Sequence, residues 1–112
     1  MSHNYPEYRD HLNEFAAKLP NGARKGFAAL HQGTMKEGVL DVKTKELIAL
    51  GIAIAIRCDG CIAYHMNAAT NAGVTREELD DMIGVAMLMG GGPSMVYGAQ
   101  AIEAFEQYQA QK

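Results

Sequence analysis

A chain of 112 residues is the size of one domain and leaves no room for a second. Apolar residues make up 48% and charged residues 21%, enough to bury a core and unlike a disordered or collagen-type chain. Ten Lys plus Arg against 13 Asp plus Glu give a net charge of -3 with no basic block, so nucleic acid is not an expected partner.

No alternating Val/Ile/Thr run of the strand type occurs, and Asn, Gly and Pro divide the chain into five or six stretches of helical length. The expected fold is all-α, a compact bundle of five to six helices over residues 1–112. A first helix is predicted from Pro6 to Lys18, stopped by Leu19-Pro20-Asn21-Gly22. A second, from Ala23 to Lys36, has a loose apolar face of Phe27, Leu30 and Met35 and is weakened by Gly26 and Gly33. The third starts behind the cap residue Asp41 and runs to Arg57. Ala49, Leu50, Ile52, Ala53, Ile54, Ala55 and Ile56 leave it no polar side, as expected of a helix buried in a bundle or at the centre of an oligomer.

A fourth helix is expected from Asp59 to Gly73, the latter suited to a left-handed C-terminal cap. Thr75 and Glu78 spell a capping box that opens a fifth, Arg76 to Met89, burying Leu79, Met82, Ile83, Ala86 and Met89. Gly90-Gly91-Gly92-Pro93 breaks it. Ser94 is the expected cap of a last helix that buries Val96, Ala99, Ile102, Phe105 and Tyr108 and turns Glu103, Glu106 and Gln107 outward.

The longest apolar run, Leu47 to Ile56, spans ten residues, against roughly 20 for a bilayer core. The N-terminus carries neither a basic region nor an apolar one of the secretory kind, so no membrane and a cytoplasmic location are the expectation.

Chemistry concentrates in one segment: Glu46, eleven residues, Cys58-Asp59-Gly60-Cys61, three residues, His65. Cys58 and Cys61 are the only cysteines and close too small a loop to stabilise a fold by loop entropy, so a disulfide between them would be chemical rather than structural. If the fourth helix begins near Cys58, both sulfurs sit in its first turn, where free N–H groups and the helix dipole favour thiolates. Four residues separate Cys61 from His65, which places them on one face about 6 Å apart along the axis, within reach of proton exchange. An imidazole beside a thiol makes a nucleophile. A thiolate that attacks an O–O bond becomes a sulfenic acid, a neighbouring thiol condenses with it to a disulfide, and an external dithiol can restore both thiols.

Zinc is the main rival, because Cys58, Cys61, His65 and Glu46 are all acceptable ligands. Against it, the sequence lacks the second C-x-x-C or H-x-x-x-H knuckle of structural zinc sites, and no cofactor is expected. Glu46 lies about 18 Å from position 58 along one straight helix, twelve residues at 1.5 Å each. In an antiparallel hairpin it still falls about 8 to 9 Å beyond the level of His65, so a bend, a crossing angle or a neighbouring subunit must supply the rest. From spacing alone Glu46 is equally a first-turn residue favoured by the dipole.

Glu46, the eleven-residue interval, Cys58-x-x-Cys61 and His65 resemble the signature of the carboxymuconolactone decarboxylase superfamily, in its alkylhydroperoxidase D-like single-domain branch. Leu40-Asp41-Val42-Lys43-Thr44-Lys45-Glu46-Leu47, Ala68-Ala69 with Gly73, and Gly91-Gly92-Pro93-Ser94 extend the resemblance over residues 25–108. It implies an all-helical fold that assembles into trimers or hexamers, and a peroxidase or dithiol-disulfide activity on hydroperoxides with an external dithiol electron donor. It further implies that Cys61 attacks, Cys58 resolves, and Glu46 and His65 relay the proton, although thioredoxin-like C-x-x-C motifs activate the first cysteine instead. The family's peroxidases carry a histidine next to the second cysteine, where this chain has Gly60, a departure that bears on peroxidase rate more than on dithiol chemistry. A non-catalytic redox sensor or binding protein is the competing reading.

His3, His11 and His31 fall away from the motif and are expected to be surface or packing residues. Tyr64 and Tyr97 are expected in the core, with lining of a peroxide pocket as the alternative, and Met82, Met87, Met89 and Met95 in core or subunit contacts.

Overall fold

Local capping chemistry sets out the helices of this computed structural model, which describes residues 3–112. Helix α1 (Tyr5–Ala16) starts where the Asn4 side chain accepts the Glu7 N–H, with Pro6 in its first turn. Helix α2 (Asn21–Met35) follows Pro20 without a side-chain cap. Asp41 caps α3 (Val42–Ala55) by accepting the Thr44 N–H at 2.8 Å, and hydrogen bonds from Thr44 hold the Asp41 carboxyl below its usual range. Helix α4 (Asp59–Asn71) is capped by Cys58, and the Thr75–Glu78 capping box forms in full at the start of α5 (Arg76–Gly90). Helix α6 (Gly92–Ala110) completes the chain. No strand occurs among the described residues.

Two turns of the same design end α3 and α4. After α4 the Val74 N–H donates to the Ala69 carbonyl and Gly73 N–H to Thr70, with Gly73 at a φ of 86°. After α3 the Cys58 N–H donates to Ala53 and Arg57 N–H to Ile54, but the left-handed position is taken by Arg57, at a φ of 59°. A non-glycine residue there costs roughly 1–2 kcal/mol, which the double hydrogen bond of the motif and the packing of α3 on α4 must outweigh.

The core is a contiguous cluster in which Leu50 and Ile54 of α3, Ile62 and Met66 of α4, Leu79 and Ile83 of α5, and Phe105 and Tyr108 of α6 meet, with Tyr5 of α1 closing one end. Its details depart from the helix faces expected above. Helix α6 buries Ser94, Gly98, Ala101, Ala104, Phe105 and Tyr108, while Val96 and Ala99 are exposed. Small residues let α6 lie close to α5: a Cβ on Gly98 would come within 2.9 Å of Ile83 Cγ2. Ser94 is fully buried against Gly90 rather than capping, because the reversal between α5 and α6 is made by Gly91 alone, at a φ of 71°. Met89 is exposed, and of α3 only the side carrying Glu46, Leu50, Ala53 and Ile54 is covered by its own chain. Helix α2 buries no residue.

Tyr108 links three elements: its hydroxyl donates to the Ala63 carbonyl of α4 at 2.7 Å and lies 3.3 Å from the Tyr5 carbonyl of α1. Burial pushes its hydroxyl pKa from 10.0 up to about 12. A raised folded-state pKa stabilises fully below the unfolded value, and that stabilisation is lost as pH rises from about 10 through about 12. Tyr108→Phe is expected to cost about 1–2 kcal/mol at neutral pH. It should also flatten the alkaline fall in stability over that window, as checked by urea unfolding at a series of pH values.

Candidate functional site

The turn at Arg57 brings the C-x-x-C segment to the start of α4. Cys58 occupies the position usually held by Ser, Thr or Asp, and its Sγ accepts the backbone N–H of Cys61 at 3.2 Å. Cys58 and Cys61 are joined in a disulfide with Cα atoms 5.2 Å apart. Once reduced, both sulfurs face the positive end of the helix dipole, and the Cys61 N–H stands ready to stabilise a thiolate at Cys58.

His65 lies one turn beyond Cys61, and its Nδ1–H donates to Glu46 Oε1 at 2.8 Å. A carboxylate only accepts, so this contact fixes the tautomer and leaves Nε2 as the basic nitrogen. Glu46 is only 3% exposed. An isolated buried carboxylate is strongly penalised, and the imidazole supplies its compensation. The reach that spacing left open is closed within one chain, across the packed pair of α3 and α4. Glu46, Cys58, Cys61 and His65 thus converge.

Cys58, Cys61 and His65 open onto a cavity of about 890 Å³ between α4 and the α1–α2 segment, with Glu46 buried behind them. Leu19, Phe27 and Ala28 make its apolar wall, and Arg24, His31, Gln32 and Tyr64 are its polar members. His31 was expected to be a bystander, yet its ring faces that of His65 with centroids 6.0 Å apart. The signal that points to it is the spacing of Arg24, Phe27, Ala28 and His31, which is that of a single helix face. Tyr64 is a wall residue rather than a core one: its hydroxyl donates to Asn13 Oδ1, and burial pushes its pKa upward. Tyr97 is partly buried against the core.

The opposite side of the C-x-x-C loop is held by the N-terminal segment. Asp59 Oδ1 accepts from the Tyr5 hydroxyl at 2.9 Å, and Asp59 Oδ2 pairs with His3 Nε2 at 2.8 Å. His3, expected as a surface or packing residue, also stacks on Tyr8. Gln107 of α6, expected outward, accepts from the Tyr5 N–H and donates to the His3 carbonyl. Gly60 lets α1 lie against this loop, since a Cβ there would stand 3.1 Å from Leu12 Cδ1. Among the described residues no three His, Cys, Asp or Glu side chains are grouped to hold a metal ion. No helix among them is long and apolar enough to cross a membrane.

Residues 22–104 match the model of the carboxymuconolactone decarboxylase family. A carboxymuconolactone decarboxylase family protein of Legionella pneumophila superposes with a TM-score of 0.82 and 44% identity, covering 96% of this chain and 95% of that one. A Thermotoga maritima protein of the same family, for which an antioxidative role has been suggested, gives a TM-score of 0.80 at 30% identity over 96% and 92% of the two chains. An uncharacterised protein of Haemophilus influenzae is 30% identical over 108 residues, 94% of this chain and 96% of its own.

Asp59→Ala removes the acceptor on which His3 and Tyr5 converge. The expected outcome is a loss of about 1–2 kcal/mol in stability, with faster amide hydrogen exchange across the first turn of α1 and unchanged exchange in α5.

Proposed function

The chain belongs to the carboxymuconolactone decarboxylase family, and we propose that within it the protein is a thiol-dependent peroxidase or dithiol-disulfide oxidoreductase working through Cys58 and Cys61. The observation that carries this reading is the pairing of buried Glu46 with half-buried His65, one helical turn from a C-x-x-C disulfide that borders a cavity. The suggested antioxidative role of the Thermotoga maritima relative points the same way.

Held by Glu46, His65 offers Nε2 to take the Cys61 thiol proton, and Glu46 stabilises the imidazolium that results. The Cys61 thiolate attacks the terminal oxygen of a hydroperoxide: an S–O bond forms, the O–O bond breaks, and the alcohol leaves with one proton. Cys58 then attacks the sulfenic sulfur, forming the disulfide and releasing water. An external dithiol donor reduces that disulfide by two thiol exchanges and is itself oxidised. The Cys61 N–H at Cys58 Sγ serves the second and third of these steps, where Cys58 carries negative charge as nucleophile or as leaving group.

We further assign the apolar residues left uncovered on α3 and α5, among them Ile48, Ile52, Val85 and Met89 around a groove of about 460 Å³, to a homo-oligomer, a trimer or hexamer, in the cytoplasm.

Fully reduced protein treated with one equivalent of an organic hydroperoxide is expected to lose both thiols and the mass of two hydrogens, as read by thiol titration and intact mass. Cys61→Ser should abolish turnover. Cys58→Ser should consume peroxide once and stall as sulfenic or sulfinic acid. The opposite pattern would reverse the order of the cysteines, and wild-type turnover in both variants would refute the reading. Disulfide formation with altered assembly but no multiple turnover would identify a sensor instead.

A further inference from the structure

We propose that His31 is a catalytic residue of this site, the acid that protonates the alkoxide expelled when the cysteine thiolate splits an alkyl hydroperoxide. The inference rests on the peroxidase reading above and adds a group that the C-x-x-C motif does not contain. In that reaction the sulfur approaches one peroxide oxygen while the other departs on the far side, into the cavity. His65 belongs to the helix that carries the sulfurs, and its Nδ1 is held by Glu46. The departing oxygen therefore needs a donor from the facing wall, which α2 provides.

His31 is the side chain there with the right chemistry. Its ring lies 6.0 Å from that of His65, centroid to centroid, a spacing that admits one oxygen atom hydrogen-bonded to both rings at ~2.8 Å each. Among the described residues no hydrogen bond or ion pair engages it. The other polar groups of the wall are poor acids: the Tyr64 hydroxyl is given to Asn13 and its pKa is pushed upward by burial, the Arg24 guanidinium, bonded to Asn21, does not release protons, and the Gln32 amide does not ionise. Gly60, between the cysteines, supplies no side-chain donor, and the space beside it is taken by Leu12.

The protons balance. The thiolate forms an S–O bond with the terminal oxygen, the O–O bonding pair leaves on the alkoxide, and the His31 imidazolium gives its proton to make the alcohol. The proton that His65 removed from the thiol matches the one His31 delivers, and a bridging oxygen between the two rings offers a route for its return.

The test compares two oxidants in single-turnover oxidation of fully reduced protein: tert-butyl hydroperoxide, whose alkoxide must be protonated, and peracetic acid, whose acetate leaves without a proton. His31→Ala and His31→Gln are expected to slow the first by ~100-fold, the lower range of general acid catalysis, and the second by no more than about twofold. Added imidazole should restore part of the loss in His31→Ala. Equal slowing with both oxidants, or none with either, would overturn the assignment while leaving the peroxidase reading in place. A wild-type protein inert to both would overturn the two together. His31 is exposed on α2, and matching thermal unfolding of the variants confirms that only chemistry is being read.

Discussion

A carboxylate on the inward side of α3 has to be neutralised or paired, and this single demand organises the molecule. Glu46 meets it with His65, so α3 and α4 are joined by a hydrogen bond as well as by the core cluster that Leu50, Ile54, Ile62 and Met66 share. Because α4 is only 13 residues long and starts at the C-x-x-C segment, the position of His65 fixes that of Cys61 one turn earlier. The turn at Arg57 then has little freedom, and its left-handed residue is tolerated because both helices it joins are already committed. In the proposed chemistry the same bond chooses the basic nitrogen of His65. One contact thus serves fold and reactivity together.

Around that pair the structure is asymmetric. On one side the N-terminal segment, Asp59, Gln107 and Tyr108 form a connected set of hydrogen bonds that ties α1, α4 and α6. On the other, α2 buries nothing and leaves Phe27 and Leu30 largely exposed. The half of the site that holds the sulfurs is rigidly supported, while the half that would receive substrate is lightly held within a single chain. An oligomer that covered α2, α3 and α5 would remove this imbalance.

Much of this was legible in the sequence, for local reasons. Asp41, Thr75 with Glu78, Gly73 and the cysteine spacing act within four residues, and each does in the structure what its neighbours dictate. What was not legible depends on how one helix lies on another. The buried face of α6 turned away from Val96 because Gly98, Ala101 and Ala104 permit a closer approach than larger side chains would. The reach of Glu46 to His65 depends on how α3 lies on α4, which spacing does not contain. His31 and His3 lie 34 and 56 residues from the histidine and aspartate they face, and only the docking of α2 and of the N-terminal segment on α4 brings them there.

Gly60 and Leu12 have a bearing on the order of events. With α1 laid across one side of the C-x-x-C loop, the cavity side is left as the approach to the sulfurs. In the proposed chemistry oxidant and reductant share one doorway and cannot be bound at the sulfurs together. A catalyst so built runs as a shuttle with two alternating halves, its steady-state kinetics giving parallel double-reciprocal lines, and an excess of either partner obstructs the other.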